Sequence, residues 1–327
     1  MNNCLIDIII PAYKAGKTIS ATLDSLNLQI NKNFNVHVVL DGYDEYTYER
    51  AYAHMPLVNG ARFIHTPEHG GVASARNYGF KNSTAPYVMF LDADDLLLPN
   101  AIATAYSAIE RGFDFMIGKT MREAENGNYD VVGAQQMTWI HGRVYNRDFL
   151  NKYDIKFPLI PMCEDLTFNM LCAEFAQSVP ETQWPVHIQR FNPGSLSRSE
   201  ASQREQALYY IRCCIEYVQT ARRFKDVSEL VLLPSALASC YHYIDSADIV
   251  FANDKEVLDT MAEQFVTLID ESGYAENAAL REKMPHALTN PSRPIKGAYM
   301  PVLTFDQRII NAINRNAAIR SAGRNSL

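Results

Sequence analysis

The chain has 327 residues, a length that suits one large domain or one domain with an appendage. Its 47% hydrophobic and 20% charged residues are those of an ordinary globular protein. The net charge of −7 argues against a protein whose whole surface coats nucleic acid or an anionic membrane. The six cysteines include no C-x-x-C pair, which predicts a reduced, cytosolic protein without a zinc or disulfide framework. We see no signal peptide and no apolar run of about 18 residues that would span a membrane.

The first third of the chain alternates between strand patterns and helix patterns. Short apolar runs predict four strands, at Leu5–Ile10, Asn35–Leu40, Ala61–His65 and Tyr87–Leu91. Helices are predicted between them, at Thr18–Leu28, Tyr48–Met55 and Ala73–Asn82. Such alternation is typical of an α/β protein with a mostly parallel sheet and right-handed crossovers. We expect Pro11 to end the first strand.

Acidic residues directly follow two of these strands. Asp41 comes after the second strand, and the fourth is followed by Asp92, Asp94 and Asp95. Open α/β sheets bind ligands at the carboxyl ends of their strands, so both acidic groups are expected at one edge. Carboxylates that repel each other are explained by a divalent cation held together with substrate phosphates. The alternative is a solvated acidic turn in which Asp95 or Asn100 caps the next helix.

Seven segments together resemble the family 2 glycosyltransferases of GT-A fold. Several independent motifs in one order are far more specific than an isolated D-x-D pair. The resemblance covers roughly residues 5–200 and implies a Rossmann-like nucleotide-diphospho-sugar transferase fold. That fold is an α/β architecture with a mixed, mostly parallel sheet flanked by helices. The segments are Ile6–Leu26, Val38–Glu45, Glu68–Phe80, Tyr87–Pro99, Gly142–Phe157, Cys163–Leu171 and Gln189–Arg198.

The resemblance assigns several residues to the nucleotide-sugar. Asp41 would accept hydrogen bonds from the uracil of a UDP-sugar, and an Asx-type turn with Gly42 is the alternative. Arg76, a cation at the start of a helix, would pair with the pyrophosphate or base unless it is a plain surface arginine. Tyr13 would cover the base or ribose unless it is a buried structural tyrosine. The full set implied to contact the nucleotide or close over it is Pro11, Tyr13, Asp41, Arg76, Asp92, Arg190 and Ser195.

The D-x-D pair is implied to hold the metal. Asp94 would coordinate Mn²⁺ or Mg²⁺, and Asp92 would contact the ribose or a metal-bound water. The metal neutralises the charge that develops on the leaving UDP. His187 is a candidate further ligand, with a structural histidine as the alternative. For Asp95, contact with sugar hydroxyls and capping of the next helix both stay open.

The catalytic base is implied to be Asp165. An inverting transfer needs one carboxylate opposite the leaving group to take the proton of the acceptor hydroxyl. The alternative is that Glu164 and Asp165 only place favourable negative charge at a helix N-terminus.

The last part of the chain is predicted to be helical. We divide the sequence into a GT-A catalytic domain at 1–200, a helical C-terminal region at 201–290, and a Pro-containing linker with a basic amphipathic tail at 291–327. From Ser292 to Leu327 the tail holds six basic residues against the single acid Asp306. It could contact an anionic membrane, a nucleic acid, a partner subunit or the protein's own body.

These features predict a metal-dependent inverting glycosyltransferase that uses a nucleotide-sugar, in the first place a UDP-sugar. The expected acceptor is a hydroxyl of a surface glycan or lipid-linked oligosaccharide. A hydroxymethylated base of phage-like DNA is an alternative acceptor. A nucleotidyltransferase or a non-catalytic nucleotide-sugar-binding module is the alternative of another class. The expected location is the cytoplasm, with peripheral contact at the inner membrane face through the basic tail.

Overall fold

The computed structural model describes residues 4–58, 60–133, 139–193 and 200–224, together with Glu263 and Thr267. The chain divides into two compact units, Met1–Gly194 and Ser195–Leu327. Apart from Glu263 and Thr267, the regions predicted beyond residue 224, including the basic tail, lie outside the described residues. No helix among the described residues combines the length and hydrophobicity that crossing a bilayer requires.

The first unit contains nine strands and six helices within its described residues. The strands are β1 Ile6–Ala12, β2 Phe34–Leu40, β3 Gly60–His65, β4 Tyr87–Phe90, β5 Leu96–Leu97, β6 Phe115–Glu123, β7 Tyr129–Val132, β8 Val144–Asn146 and β9 Glu181–Gln189. The helices are α1 Ile19–Asn27, α2 Glu45–His54, α3 Gly71–Lys81, α4 Ala101–Ile109, α5 Arg147–Lys152 and α6 Glu164–Phe175. In the second unit, α7 spans Glu200–Ala221, in agreement with the helical pattern of this segment.

The strands form one mixed sheet in the order β3–β2–β1–β4–β8–β6–β9–β5, and β7 pairs with β6. β3, β2, β1 and β4 are parallel neighbours, as the alternation of strands and helices predicted. β8 runs antiparallel to both β4 and β6, so the sheet continues with parallel and antiparallel pairs. The predicted α/β class is confirmed, and the uniformly parallel part of the sheet is its first four strands.

β1 lies at the centre of the parallel part, and all seven of its residues are buried. A continuous apolar run is typical of a strand with packed elements on both faces. Pro11 lies within β1 and pairs with Val39, so the prediction that it ends the strand is wrong. β4 pairs with β1 only as far as Ile9. Pro11 has no β4 neighbour, so the N–H that proline lacks breaks no sheet hydrogen bond on that side.

A buried acid, Asp7, interrupts the apolar run of β1. Its carboxylate accepts hydrogen bonds from the backbone N–H groups of Thr84 at 2.7 Å and Ala85 at 2.6 Å. His37 Nε2 lies 3.1 Å from it, and Arg147 Nη2 lies 3.5 Å from it. Asp7 therefore ties β1 and β2 to the turn before β4 and to the start of α5.

We expect Asp7→Asn to lower the free energy of unfolding by about 1–3 kcal/mol near pH 7, because the amide keeps an acceptor for one backbone N–H while it leaves other buried groups unsatisfied. Burial raises the pKa of Asp7, but hydrogen bonds from His37 and Asn35 outweigh it and hold the pKa well below the ordinary value. The pKa of an aspartate in the unfolded chain is about 4. The extra stability of the wild type is therefore complete above about pH 4 and is lost as the pH falls toward the lower pKa of the native state.

The measurement is equilibrium urea unfolding of both proteins at neutral pH and at several pH values below about 4. The exposed Asp24, which pairs with His54 on the surface, supplies the control Asp24→Asn, expected to stay within about 0.5 kcal/mol of the wild type. Equal losses in the two variants would show that the Asp7 contacts add no stability.

Candidate active site

Asp41 directly follows β2 and anchors the turn that begins α3. Its side chain is buried, and its oxygens accept hydrogen bonds from the backbone N–H groups of Gly70 and Gly71, each at 2.9 Å. Thr66 Oγ1 lies 3.2 Å and His69 Nδ1 2.8 Å from the same carboxylate. Because a carboxylate offers about four acceptor positions, donors of the protein itself occupy Asp41. Gly71 has a φ of 83°, a conformation that favours glycine at the start of this helix.

The loop after β1 places an exposed aromatic ring beside this turn. Tyr13 is 47% exposed, and its ring stacks on His69 with centroids 3.9 Å apart and planes 14° from parallel. The alternative of a buried tyrosine is therefore wrong. His69, to which we assigned no role from the sequence, joins Tyr13 to Asp41. Of the two residues predicted to contact the nucleotide here, Pro11 is buried within β1 and Tyr13 is exposed.

Arg76 of α3 connects the acids after β4 to the beginning of α6. Its Nη2 lies 2.6 Å from Asp92 Oδ1, and its Nη1 lies 2.5 Å from Glu164 Oε1. The side chain is buried, and Cζ lies 5.2 Å from the centroid of the Phe157 ring. Its terminal nitrogens bind two protein carboxylates, and the buried side chain shows that the alternative of a plain surface arginine is wrong. The pairing of Arg76 with a nucleotide stays a prediction. We call Arg76, Asp92 and Glu164 the Arg76 triad.

Arg76 and Asp92 favour the charged form of each other. Burial alone would lower the pKa of Arg76, but Asp92 and Glu164 raise it above its already high ordinary value. Burial would likewise raise the pKa of Asp92, but the Arg76 guanidinium outweighs it, so that pKa is lowered. The triad therefore fixes the strand-end acid Asp92 and the start of α6 relative to each other.

Asp165 adjoins Glu164 in the first turn of α6 but has different surroundings. Glu164 is 6% exposed and ion-paired, whereas Asp165 is partly exposed and forms no ion pair within the described residues. Burial raises the pKa of Asp165 well above the ordinary value, and the negative charge of Glu164 adds to the rise. A carboxylate with a raised pKa is suited to accept a proton near neutral pH.

The two later acids of the strand end have separate partners. Asp94 is partly exposed, and its Oδ2 accepts a hydrogen bond of 2.9 Å from Asn192 Nδ2. Asp95 is 3% exposed, and its Oδ1 accepts a hydrogen bond of 3.0 Å from the backbone N–H of Arg190. Asp95 does not cap the next helix, because α4 begins after Asn100. Burial raises the pKa of Asp95 to about 8.

Two histidines complete a buried cluster with Asp95. His141 Nδ1 and His187 Nε2 each lie 3.4 Å from Asp95 Oδ2, and the imidazole rings stack with centroids 5.0 Å apart. Burial lowers the pKa of His187 to about 4 and also lowers that of His141, so both rings are neutral at pH 7. Gly142, with a φ of 68°, permits the approach, since a Cβ there would lie 3.2 Å from His187 Cβ. We call these three residues the Asp95 cluster.

The other predicted residues are placed less centrally. Arg190 is partly buried at the end of β9 and contributes its backbone N–H to Asp95. Ser195 lies outside the described residues. The sequence interpretation missed Glu164 as the partner of Arg76, and it missed His141 as a neighbour of His187. The only available signal was that a cation at the start of a helix is unfavourable without an anion, and it did not point to Glu164 in particular.

Comparison with known proteins finds a family model that matches nearly half of the chain. Residues 7–164 match the family model described as Glycosyl transferase family 2. Glycosyltransferase GlyG of Streptococcus pneumoniae serotype 4 is 30% identical over 127 residues, which are 38% of this chain and 42% of GlyG. The chain thus covers well under two thirds of the length of such curated relatives.

Solved structures share the fold over most of the chain. The crystal structure of S. aureus TarS 1–349 in complex with UDP-GlcNAc has a TM-score of 0.51 and 18% identity, and covers 86% of this chain and 88% of that one. The mannosyltransferase PcManGT from Pyrobaculum calidifontis in complex with GDP-Man and Mn²⁺ has a TM-score of 0.50 and 15% identity, and covers 87% and 86%. At these identities the comparison establishes the fold, and the predicted GT-A class is confirmed.

Proposed function

Through residues 7–164 this chain belongs to glycosyl transferase family 2, and from that premise we propose that it is a metal-dependent, inverting glycosyltransferase. It moves a sugar from a nucleotide-sugar to an acceptor hydroxyl. The observation that carries the proposal is the Arg76 triad, which joins the acids after β4 to the helix that carries Asp165. Arg76 thereby fixes the position of the acids proposed for the donor relative to Asp165, the base proposed for the acceptor.

The nucleobase binds at the surface formed by Tyr13, His69 and Asp41. The exposed face of Tyr13 offers a stacking platform, and His69 supports it from behind. Because the carboxylate of Asp41 is occupied by the turn that it anchors, its main contribution is to position His69 and the two glycine N–H groups beside the base and ribose. The donor is a UDP-sugar, by analogy with the UDP-GlcNAc in the TarS crystal structure, and the GDP-Man of the Pyrobaculum mannosyltransferase makes GDP-sugars the first comparison.

Asp94 and Asp92 would hold the divalent metal, Mn²⁺ or Mg²⁺, that such a donor requires. The fit rests on the donor set, since hard cations prefer carboxylate oxygens and Asp94 is partly exposed at the strand end. The metal supplies an electrophile that neutralises charge on the leaving nucleoside diphosphate. Arg76 fixes the carboxylate of Asp92, and Arg190, whose backbone N–H binds Asp95 at this edge, would contact a phosphate of the donor.

Asp165 accepts the proton of the acceptor hydroxyl as the new glycosidic bond forms. Its raised pKa suits this transfer, and the Arg76 triad keeps the beginning of α6 in place, while the Asp165 carboxylate has no ion pair in the part of the chain that the structure describes. The acceptor that we propose is a hydroxyl of a surface glycan or lipid-linked oligosaccharide. The DNA alternative depended on the basic tail, which lies outside the described residues, and we do not propose it.

A thermal-shift panel tests the donor and the metal together. A ligand that binds only the folded state at 100-fold excess over its Kd adds about 2.7 kcal/mol of stability. We expect a UDP-sugar with Mn²⁺ to raise the Tm more than a GDP-sugar does. We also expect Asp94→Ala to lose the part of the shift that depends on Mn²⁺, while the surface variant Asp24→Ala keeps it.

Release of UDP in the presence of acceptor separates a transferase from a binding module. If no nucleotide-sugar raises the Tm with any divalent metal, the proposed function is wrong. If transfer or donor hydrolysis persists in Asp94→Ala with EDTA present, the assignment of the metal is wrong. A nucleotidyltransferase would instead join a nucleoside triphosphate to a sugar phosphate and release pyrophosphate from the triphosphate.

A further inference from the structure

The Asp95 cluster lies next to the D-x-D acids but has its own geometry. His187 is fully buried, and among the described residues neither of its ring nitrogens has a hydrogen-bond partner. His187 Nε2 and His141 Nδ1 approach the same oxygen, Asp95 Oδ2, at 3.4 Å each. A buried imidazole with two orphan nitrogens is costly, because each polar group loses its water without gaining a partner.

The distance of 3.4 Å is informative in itself. A hydrogen bond from a neutral imidazole N–H to an oxygen is about 2.7–3.2 Å long. Two ligand atoms bound about 2.1 Å from one tetrahedral ion lie about 3.4 Å apart. The ligand atoms of all three residues lie within 4.8 Å of one another. The two Asp95–histidine spacings are therefore those of ligands on a shared ion, and they are longer than a usual hydrogen bond.

The chemistry of the three groups selects the kind of ion. Neutral imidazole binds zinc and other first-row transition metals, whereas Mg²⁺ is bound by oxygen ligands and waters. We propose that Asp95, His141 and His187 bind one transition-metal ion, of the Zn²⁺ or Co²⁺ type, at a site distinct from the carboxylates of Asp92 and Asp94. This site binds its metal without a donor nucleotide, so the proposal does not depend on glycosyl transfer.

Such an ion would fasten three separate segments. Asp95 belongs to the turn after β4, His141 precedes β8, and His187 lies in β9. Asp95 Oδ1 accepts a hydrogen bond from the backbone N–H of Arg190, directly after β9. A metal on Asp95 Oδ2 would keep Asp95 ionised and would thereby hold the end of β9 beside the D-x-D acids.

Metal binding by the full chain, without nucleotide, tests the proposal. Metal-stripped protein is titrated with Zn²⁺, Co²⁺, Mn²⁺ and Mg²⁺ by calorimetry, and Co²⁺ absorption and Tm are recorded. We expect one Zn²⁺ or Co²⁺ to bind per chain, with ligand-field bands for Co²⁺ and a higher Tm, while Mg²⁺ produces neither effect. His187→Gln and His141→Gln are each expected to weaken Zn²⁺ binding by at least about tenfold, since losing even a partner of a ligand costs 10–100-fold.

Two controls locate the metal. His54→Gln removes a histidine that pairs with Asp24 on the surface at 2.8 Å, and it is expected to leave Zn²⁺ binding unchanged. Asp94→Ala is expected to retain the nucleotide-free site. If Zn²⁺ binding survives in both His187→Gln and His141→Gln, the proposal is overturned, whatever the result for Asp94→Ala. Absence of saturable Zn²⁺ or Co²⁺ binding, as expected for a bridging water, also overturns it. Should His187→Gln fail to fold, His141→Gln at the cluster's rim decides the question.

Discussion

Replacing Asp165 with asparagine is expected to lower kcat for sugar transfer by about 10²–10⁴-fold, the usual contribution of a general base. Asparagine has nearly the same shape but cannot take a proton from the acceptor. The ion pair between Arg76 and Glu164 remains, so the fold and the donor site are expected to persist. The measurement is kcat with a fixed donor and acceptor, alongside the Tm shift that the donor produces.

A matched control exists in α5. Asp148 occupies the second position of that helix, as Asp165 does in α6, and it is exposed. If Asp165 served only the helix dipole, Asp165→Asn and Asp148→Asn would both cost at most about 1 kcal/mol of stability and would leave kcat unchanged. A kcat for Asp165→Asn within a few-fold of the wild type would therefore contradict the assignment of the base.

The pH dependence of kcat tests the role of Asp165 independently. Burial raises the pKa of Asp165, and the charge of Glu164 raises it further. Because the deprotonated form is the active one, kcat of the wild type is expected to rise with pH through an apparent pKa well above that of an ordinary aspartate. This acid limb is expected to disappear from the residual activity of Asp165→Asn.

The common edge of Asp41 and Asp92 could be predicted from the sequence, because each acid follows an apolar strand and parallel strands end together. The partners of Arg76 could not. Asp92 lies 16 positions along the chain and Glu164 lies 88 positions along it, and no local period connects such distances. The sequence showed only a cation at the start of a helix, which left a plain surface arginine open as the alternative.

The Asp95 cluster was beyond prediction for a related reason. His187 was considered as a ligand of the D-x-D metal, yet its nearest carboxylate is that of Asp95. His141 meets it because β6 joins β8 to β9 in the sheet, an order of strands that the sequence alone did not predict. The close backbone approach at Gly142 then brings the two rings together. Sheet order decided which histidines became neighbours.

Replacing Arg76 with methionine is expected to lower the free energy of unfolding by about 3–5 kcal/mol, the usual cost of leaving a buried charge without its partner. Methionine keeps much of the length and apolar contact of the arginine stem, so the loss reports the missing charge. Glu164, whose side chain is 8% exposed, and Asp92 would both lose their cation. Both tryptophans, Trp139 and Trp184, lie in the first compact unit, so fluorescence during urea unfolding follows that unit.

A double-mutant cycle separates the triad from a general loss of packing. Arg76→Met combined with Glu164→Gln is expected to cost less than the sum of the two single changes, with a coupling of about 0.5–3 kcal/mol. Arg122 and Asp130 form an exposed ion pair with side chains 46% and 50% exposed, and Arg122→Met is expected to cost at most about 1 kcal/mol. Burial explains this contrast, because an exposed carboxylate that loses its cation is solvated by water, whereas Glu164 is not. Equal costs for Arg76→Met and Arg122→Met, together with an additive double mutant, would mean that the triad does not hold the site together.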